Sequence, residues 1–557
     1  MNPDAQARLE RNRLLPIDGQ GLKKLIEAAL IWLRANQQLV NSLNVFPVPD
    51  GDTGTNMVLT MQSAYNEIAQ LGHRDIGLMA AAVSQGALMG ARGNSGVILS
   101  QLWRGFARTL HDKEILDGPI LVQAFAEARD TAYKGVVRPV EGTILTVAKD
   151  AARAAEQALR ETDDPCEILA RVVIEANASV LRTPDLLPVL KQAGVVDSGG
   201  KGLFFILEGM LRYLNGEPID SATATVQPLS AMNLENTLDS IEPGQDYEVV
   251  VDFVPKQKLD LQDFYSELEK IGTSIQVGEG EGMYRMHIHV ATDKRYEPID
   301  YVMKVGTITK IAMENLIAQM AGIDHVSSGS HIEPAKIGPG QIAVVAVSPG
   351  TGISRVFASL GVAAIVEGGQ TMNPSTKDFL DAFENLPTEK VIILPNNKNI
   401  ILAAQQARDV TVKKVWVVPS RSIPQGLAAM MQMNLDGEVE TVAAKMSKAI
   451  EGVTSIEVTT ATRSVEIDGV AVEQGQVIAL VNGKLAISVA TVEDACLKAL
   501  KHSHAESHEL ITLFHGEGLP ISEVNRIVDV IRGEYPAQEI ELQDGGQPHY
   551  QFIISVE

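Results

Sequence analysis

The feature that most constrains the fold is a helical spacing of apolar residues, which runs from Gly21 to about Asn215. Apolar residues recur at intervals of three and four, as expected for one face of an α-helix: Leu22, Leu25, Ile26, Ala29, Leu30 and Leu33. The same spacing returns at 75–89, 97–110, 119–134, 143–160, 166–181 and 202–214. No convincing alternating strand pattern interrupts it. The sequence therefore predicts an all-helical domain over residues 1–215.

Glycine-rich polar loops separate the predicted helices. They read N-V-F-P-V-P-D-G-D-T-G-T-N-M at 44–57, G-A-R-G-N-S-G at 90–96, R-P-V-E-G-T at 138–143 and V-V-D-S-G-G-K-G at 195–202. Loops that a rigid scaffold holds at its helix ends commonly carry binding and catalytic residues. We therefore expect the functional site at these helix ends.

The first loop places Asp50 and Asp52 on either side of a glycine, directly before a predicted helix. Pro47 and Pro49 hold the preceding chain extended. Paired carboxylates can hold Mg²⁺, which commonly bridges protein carboxylates to substrate phosphates, and a helix N-terminus offers free N–H groups to an anion. The alternative is a capped turn, since Asp, Gly, Thr and Asn are ordinary turn residues.

Two further loops favour the binding interpretation. In 90–96, Asn94 and Ser95 can cap a helix or bind phosphate, and Arg92 can neutralise charge during phosphoryl transfer. In 197–202, an aspartate, a serine and glycines again open a helix. Neither the P-loop nor the G-x-G-x-x-G signature is present. Three such loops in one helical domain predict a metal–nucleotide site.

The rest of the chain changes character twice. Residues 216–245 lose periodicity and predict a linker. Residues 246–330 predict a small α/β domain, with strands near 247–254 and 284–291 and helices near 260–271 and 311–321. In residues 331–557, apolar runs at 342–348, 363–367, 391–395 and 414–418 alternate with helical segments, which predicts a C-terminal α/β domain with a mainly parallel sheet. The β-rich tail after 455 could complete that domain.

Composition limits the function classes. The formal net charge of −23 argues against binding of nucleic acid or anionic membranes. The two cysteines, Cys166 and Cys496, exclude a disulfide framework and a cysteine-cluster zinc site. No signal-peptide core and no apolar run of membrane-spanning length are present. We expect a soluble, cytoplasmic protein with no integral membrane segment.

The three glycine-rich motifs resemble the nucleotide-binding domain of the dihydroxyacetone kinase family, and the order of domains resembles the catalytic subunit of the bacterial fatty acid kinase family. This resemblance implies a barrel of helices that binds ATP through Mg²⁺ at one end. By position, Asp50 and Asp52 would hold the magnesium; where the family has a third aspartate, Asn44 or water is the candidate. The residues implied around the nucleotide are Thr53, Gly54, Thr55, Asn56, Asn94, Ser95, Gly142, Thr143, Asp197, Ser198 and Gly199.

The resemblance also implies a reaction: phosphorylation of a fatty acid, which a separate binding protein presents, to give an acyl phosphate. A carboxylate is already ionised at neutral pH, so it needs positioning and charge neutralisation rather than a general base. A homodimer is implied by resemblance as well. Two alternatives stay open, a kinase for a small hydroxyketone or polyol and a non-catalytic nucleotide-binding regulatory or scaffold protein.

Two features lie outside the helical domain. His287 and His289 are two residues apart on a predicted strand, so both point to one face and could ligate zinc with a third ligand. Val250 stands where the family has an associated cysteine, so structural or partner-contact histidines are the favoured interpretation, although Asp252 could substitute. The loops at 348–352 and 368–376 follow predicted strands, where α/β sheets bind ligands, and ordinary turns explain them about equally well. The resemblance implies that the C-terminal domain, residues 331–557, is related to the fold of the fatty-acid-binding partner and could dock it.

Overall fold

The computed structural model describes residues 17–44, 51–136, 138–219, 227–228, 246–257, 259, 261–268, 270–280, 283–315, 335–370, 372–461, 464–467 and 470–557. The chain divides into two compact units. One unit contains Met1–Asp220 together with Ile332–Glu557, and the other is Ser221–His331. The fold class is the predicted one, a helical domain followed by a small sheet domain and a C-terminal α/β domain.

The N-terminal domain is helical throughout its described part. Its helices are α1 (Gly19–Ala35), α2 (Gln37–Leu43), α3 (Thr53–Ile68), α4 (Ile76–Met89), α5 (Gly93–Leu110), α6 (Gly118–Lys134), α7 (Ile144–Ala158), α8 (Pro165–Leu186), α9 (Pro188–Ala193) and α10 (Ser198–Leu214). Their apolar faces bury one continuous core that includes Leu22, Met61, Val83, Ile168 and Phe205. The periodicity missed the short helices α2 and α9.

Four helices of this domain begin at one end and have aspartate caps. Backbone hydrogen bonds join Leu116 to Ile17 (2.8 Å), Gly19 to Arg74 (2.7 Å) and Gly77 to Lys113 (3.2 Å), which gathers the starts of α1, α4 and α6. The capping carboxylates are those of Asp18, Asp75, Asp117 and Asp164, each of which accepts a backbone N–H from its own helix. Such caps satisfy donors that the helix itself leaves unpaired.

The Ser221–His331 unit contains a five-stranded sheet. Its elements are β1 (Gln227–Pro228), β2 (Tyr247–Pro255), α11 (Leu261–Leu268), β3 (Thr273–Gly280), β4 (Met283–Val290), α12 (Glu297–Val305) and β5 (Gly306–Asn315). The strand order is β1-β3-β4-β2-β5. The helix expected near 311–321 is wrong over 311–315, because β5 pairs antiparallel with β2 there. Residues 316–330 and most of the predicted 216–245 linker lie outside the described residues.

The C-terminal domain contains the predicted parallel sheet, in the order β7-β6-β8-β9 with every pair parallel. This half comprises β6 (Ile342–Ser348), α13 (Thr351–Ser359), β7 (Ala364–Glu367), α14 (Thr376–Glu384), β8 (Lys390–Leu394), α15 (Ile401–Val410), β9 (Lys414–Val417), α16 (Ile423–Met430) and α17 (Val439–Ala449). Strand β6 is buried along its whole length, as expected for a parallel strand covered on both faces.

The β-rich tail completes the domain with a second sheet instead of extending the first. Its elements are β10 (Thr454–Thr460), β11 (Val465–Ile467), β12 (Val470–Val472), β13 (Val477–Val481), β14 (Lys484–Val489), α18 (Val492–His502), β15 (Leu510–His515), α19 (Ile521–Glu534), β16 (Glu539–Asp544) and β17 (Tyr550–Val556). The sheet order is β14-β13-β10-β17-β15-β16, and only β15 and β16 pair in parallel. Phe514 and Ile553 of this sheet join a core cluster with residues of the parallel half.

The helical and C-terminal domains share an apolar core. Ala91 and Val97 of the helical domain pack in one buried cluster with Val345, Val347 and Phe379 of the C-terminal domain. Because these side chains are withdrawn from water by both domains together, the contact contributes to the stability of each. Among the described helices, none combines the length and the apolar character needed to cross a bilayer.

Candidate functional site

The N-termini of α3, α5, α7 and α10 meet at the opposite end of the helical domain from the aspartate caps. The Ser198 hydroxyl donates to Thr53 Oγ1 (3.3 Å), which joins α10 to α3. The Arg92 backbone N–H donates to Thr60 Oγ1 (3.4 Å), which joins α5 to α3. The Asp197 carboxylate accepts the Gly200 N–H (2.7 Å), and Gly199 beside it lies against Ile144, which brings α10 to α7. The fold therefore gathers all four glycine-rich loops.

Asp52 is the buried acid of this end, with only 7% of its surface exposed. Its carboxylate accepts amide N–H groups from Asn56 (2.9 Å), Asn44 (3.3 Å) and Asn373. Burial raises the pKa of Asp52 to about 6, because the charged form loses hydration, and the bonds from Asn56 and Asn373 oppose that rise. A carboxylate held by three amides and cut off from water suits a strong electrostatic partner such as a divalent cation.

Asp52 occupies the N-cap position of α3 but does not cap it. Its side chain makes no capping bond, and Arg92 makes none at α5, within the part of the chain that the structure describes. At α7 and α10, by contrast, Thr143 and Asp197 do cap their helices. The first turns of α3 and α5 thus present backbone N–H groups beside the buried carboxylate, and such groups bind anions. The Thr55 N–H is an exception, since it donates to Asn41 Oδ1 of α2 (3.1 Å).

The glycines in these loops allow close approaches. A Cβ atom on Gly54 would lie 2.4 Å from the Gln37 carbonyl oxygen. Gly142 has φ +82°, in the left-handed region that disfavours other residues. Gly199 faces Ile144, and an added Cβ there would lie 3.3 Å from Ile144 Cβ. The predicted glycine positions therefore set the spacing of the helix ends.

Several predicted nucleotide residues also have structural partners. Thr55 Oγ1 accepts from Gln37 (2.9 Å) and Asn41 (3.1 Å), which anchors α3 on α2. Asn94 donates to Asn399 Oδ1 of the C-terminal domain (3.2 Å). Burial raises the pKa of Asp197 to about 6, and its bonds from backbone N–H groups oppose the rise. Ser95 is half-buried in the first turn of α5.

Sequence reasoning missed that the C-terminal domain contributes to this end. The Arg92 guanidinium donates to the Asn373 carbonyl oxygen (3.1 Å) and lies 3.4 Å from the Asp378 carboxylate. Asn373 reaches Asp52, which is 321 residues away in sequence. The loop 368–376 was a candidate ligand loop from its position after a strand, but nothing local in the sequence indicated Asp52 as its neighbour. Asp50 lies outside the described residues.

The histidine pair lies in the other unit. His287 and His289 are each 1% exposed, and their ring centroids are 4.9 Å apart. Val250 is directly opposite His287 in the sheet, so the valine does stand beside the pair. The Asp252 carboxylate is held by Arg285 at 2.6 and 2.7 Å. No group of three or more potential metal ligands occurs among the residues described, so the zinc prediction gains no support.

Comparison with known proteins assigns the whole chain to one family. A DAK2 domain model matches residues 47–212, a fatty acid kinase (FakA-like) middle-domain model matches 242–323, and the corresponding C-terminal model matches 343–557. Uncharacterized proteins of Staphylococcus aureus strains USA300 and COL are 38% identical over 548 residues, which is 97% of this chain and 99% of theirs.

Two solved structures show distant similarity. The Streptococcus pneumoniae fatty acid kinase B3 protein loaded with linoleic acid is 12% identical, covers 39% of this chain and 99% of its own, and has a TM-score of 0.28. The C. freundii dihydroxyacetone kinase with AMP-PNP and Mg²⁺ is 17% identical, covers 36% and 35%, and has a TM-score of 0.28. No conclusion rests on either similarity.

The glycine-rich helix ends, the order of the three domains and the full-length relatives agree. The chain belongs to the FakA-like family of fatty acid kinase proteins, with a dihydroxyacetone kinase-like DAK2 domain at its N-terminus.

Proposed function

We propose that this chain is a kinase that uses ATP and Mg²⁺ to phosphorylate the carboxylate of a fatty acid, which a separate fatty-acid-binding protein presents. The observation that carries the proposal is the position of Asp52. It is a buried acid whose side chain makes no capping bond to its own helix, and it lies beside backbone N–H groups of two helix N-termini. Membership of a kinase family supports a phosphotransferase, and the carboxyl acceptor is the more specific part of the proposal.

Asp52 and Asp50 would hold the cation, with Asn44 at hydrogen-bond distance from Asp52 as a further candidate. These residues fit Mg²⁺, because carboxylate oxygens are hard ligands and the Asp52 side chain makes no capping bond that would compete with a cation. When bound, Mg²⁺ would supply positive charge that neutralises the phosphates.

The protein groups around this point would position the nucleotide. The first-turn N–H groups of Thr53 and Gly54 on α3, and of Asn94 and Ser95 on α5, would bind the phosphates. Thr55 and the Asn56 side chain would line the same site, with the Thr55 N–H bonded to Asn41 Oδ1. Gly142, Thr143, Asp197, Ser198 and Gly199 would complete the nucleotide site from α7 and α10. Arg92 would neutralise charge on the transferred group, held in place by its contacts with Asn373 and Asp378.

The reaction needs no general base. A carboxylate oxygen of the fatty acid attacks the γ-phosphorus, the bond from that phosphorus to the β–γ bridging oxygen breaks, and ADP leaves with the electron pair. No proton is removed from the acceptor, because the carboxyl group is ionised at neutral pH. Positioning and charge neutralisation therefore supply the catalysis.

The remaining predictions complete the proposal. We propose domains at 1–215, 246–330 and 331–557 with a linker at 216–245, a homodimer, and a cytoplasmic location. The C-terminal domain is the proposed docking domain for the binding protein. Its loop 348–352 follows β6, at a strand C-terminus where α/β sheets commonly bind ligands. The loop 368–376 follows β7, but Asn373 and Ser375 in it are buried and contact the helical domain.

The test is acyl-phosphate formation from ATP, Mg²⁺ and oleate, with and without a fatty-acid-binding protein. We expect product only with the binding protein, and none with Asp50→Ala or Asp52→Ala. Asp117→Ala is the matched control, because it removes an aspartate cap at the opposite helix end. ATP binding without product would favour the non-catalytic alternative, and transfer to a small hydroxyketone would favour the other kinase. Absence of ATP binding would overturn the proposal.

A further inference from the structure

Asn373 brings a C-terminal-domain side chain to the buried acid of the helical domain. It lies between β7 and α14, is 2% exposed, and donates its amide N–H to Asp52 Oδ2. The backbone around it is fixed, since Arg92 and Ser375 form an antiparallel bridge and the Thr376 N–H donates to the Ala91 carbonyl oxygen (3.3 Å). The contact is therefore built by the fold of both domains.

The other end of the same amide is unsatisfied. Asn373 Oδ1 is buried and has no hydrogen-bond partner among the residues that the structure describes. A buried acceptor without a partner is destabilising, so such an atom in a native fold calls for a physical explanation. This one belongs to a side chain that already contacts Asp52.

A cation beside Asp52 would account for both the bond from the Asn373 amide nitrogen and its unsatisfied amide oxygen. An amide nitrogen suits a free carboxylate, whereas a cation needs oxygen; a half-turn of the side-chain amide exchanges the two atoms in place. Gly93 provides room for that turn. A Cβ atom on Gly93 would lie 3.5 Å from the Asn373 amide nitrogen and 2.7 Å from that of Asn56.

We propose that Asn373 is a cation-site residue that the C-terminal domain supplies to the helical domain. Its amide nitrogen holds Asp52 when no cation is bound, and its amide oxygen faces the cation when Mg²⁺ is bound. This inference rests on the proposed function, because it requires Asp52 to hold the cation. It makes the C-terminal domain part of the nucleotide site as well as a candidate docking surface.

The experiment titrates Mn²⁺, as a paramagnetic substitute for Mg²⁺, into the full chain with AMP-PNP and follows free Mn²⁺ by electron paramagnetic resonance. Asn373→Ala removes the oxygen and is expected to raise the half-saturating Mn²⁺ concentration about tenfold, the lower range for loss of a supporting contact at a metal site. Asn373→Asp keeps an oxygen and nearly the same volume, so it should bind Mn²⁺ at least as tightly as the wild type.

Gln406→Ala is the matched control for the domain contact itself. Gln406 donates to the Leu88 carbonyl oxygen (2.9 Å) and accepts from Ser100 (3.4 Å), so it joins the same two domains through other residues. We expect Mn²⁺ binding by this variant to equal that of the wild type. Thermal unfolding of each variant shows whether it is folded, and Asn373→Asp keeps the test decisive if Asn373→Ala is unstable.

Three outcomes separate the ideas. Unchanged or tighter Mn²⁺ binding by Asn373→Ala, or weakened binding by Asn373→Asp, would overturn the inference. Asn373 would then only fill space beside Asp52. A loss by Gln406→Ala equal to that of Asn373→Ala would mean that domain contact matters and the amide oxygen does not. Asp52→Asn tests the proposed function separately: if it binds Mn²⁺ normally, the cation site is elsewhere and the proposed function fails.

Discussion

At the residue scale, Asp52 differs from the other aspartates that precede helices in this domain. Asp18, Asp75, Asp117 and Asp164 each accept a backbone N–H from their own helix, which stabilises the helix start. Asp52 stands in the same kind of position, but its carboxylate turns to three asparagine amides instead. A residue that gives up an available stabilising bond is typical of a functional site.

Gly54 offers a direct test of the close helix contact at the site. In Gly54→Ala the new Cβ would lie 2.4 Å from the Gln37 carbonyl oxygen and 2.8 Å from Asn41 Oδ1, so α3 must shift. We expect a loss of about 1–3 kcal/mol in the free energy of unfolding and weaker ATP binding. Urea unfolding and nucleotide titration measure both. Gly72→Ala is the control, since its Cβ would meet nothing within 4 Å; equal effects at the two glycines would contradict the prediction.

Glu457 should make stability depend on pH. It lies on β10 opposite Leu480 and Ile553, and burial raises its pKa from 4.5 to about 7, while Lys398 opposes the rise. Because the folded-state pKa is above the unfolded value, ionisation costs stability above pH 7, and that cost disappears as the pH falls towards 4.5. We expect the free energy of unfolding of Glu457→Gln to be about 1–3 kcal/mol higher than that of the wild type at alkaline pH.

Urea unfolding at several pH values measures this difference. The advantage of Glu457→Gln should shrink as the pH falls and be lost near the unfolded-state pKa. Glu541→Gln, on the exposed edge strand β16 of the same sheet, is the control for replacing a carboxylate by an amide. A constant advantage for Glu457→Gln would show that packing, not ionisation, causes it.

At the element scale, the two ends of the helical domain differ in how their helix N-termini are capped. The end with the aspartate caps is stabilised by side-chain bonds to N–H groups. At the glycine-rich end, the N-cap residues of α3 and α5, Asp52 and Arg92, make no such bond in the described part of the chain, and on α3 the Thr55 N–H is bonded by Asn41 of α2 instead. Since N–H groups that bind a ligand cannot also be capped, the second arrangement exchanges some helix stability for binding capacity.

Asp75 tests the stabilising end. Its carboxylate accepts the Leu78 N–H at 2.8 Å. We expect Asp75→Ala to lower the free energy of unfolding by about 1 kcal/mol, because the cap is lost, whereas Asp75→Asn keeps an oxygen acceptor and stays close to the wild type. ATP binding should not change in either variant, since this end is remote from the four gathered loops. Weakened ATP binding in Asp75→Ala would show that the two ends are coupled.

At the scale of the whole molecule, the helical and C-terminal domains are joined by buried apolar side chains, not by polar contacts alone. Ala91, Val97 and Phe379 belong to the shared cluster, and the contacts of Asn373, Asn94 and Gln406 surround it. Such a core should couple the stability of the two domains.

Phe379→Ala tests that coupling. Removing this fully buried ring should cost about 3–5 kcal/mol and accelerate amide hydrogen exchange in α5 of the helical domain. Phe552→Ala is the matched control, because Phe552 is equally buried but lies in a cluster confined to the second sheet and its helices. Hydrogen-exchange mass spectrometry should show a larger acceleration of α5 in Phe379→Ala. Equal exchange of α5 in both variants would argue against coupling through the shared core.

Local pattern alone determined most elements, the order of the domains and the loops that form the site. Helix periodicity and buried apolar runs are local signals, and they placed the main helices and the four parallel strands close to their observed positions. The strand at 306–315 was not predicted, because its short apolar stretch is ambiguous between helix and strand. Only pairing with β2 selects the extended form.

Only the tertiary structure decided that Asn373 meets Asp52, that the tail forms a second sheet, and that neither Asp52 nor Arg92 caps the helix it precedes. These outcomes depend on contacts between residues far apart in sequence, whose free energy no local pattern contains.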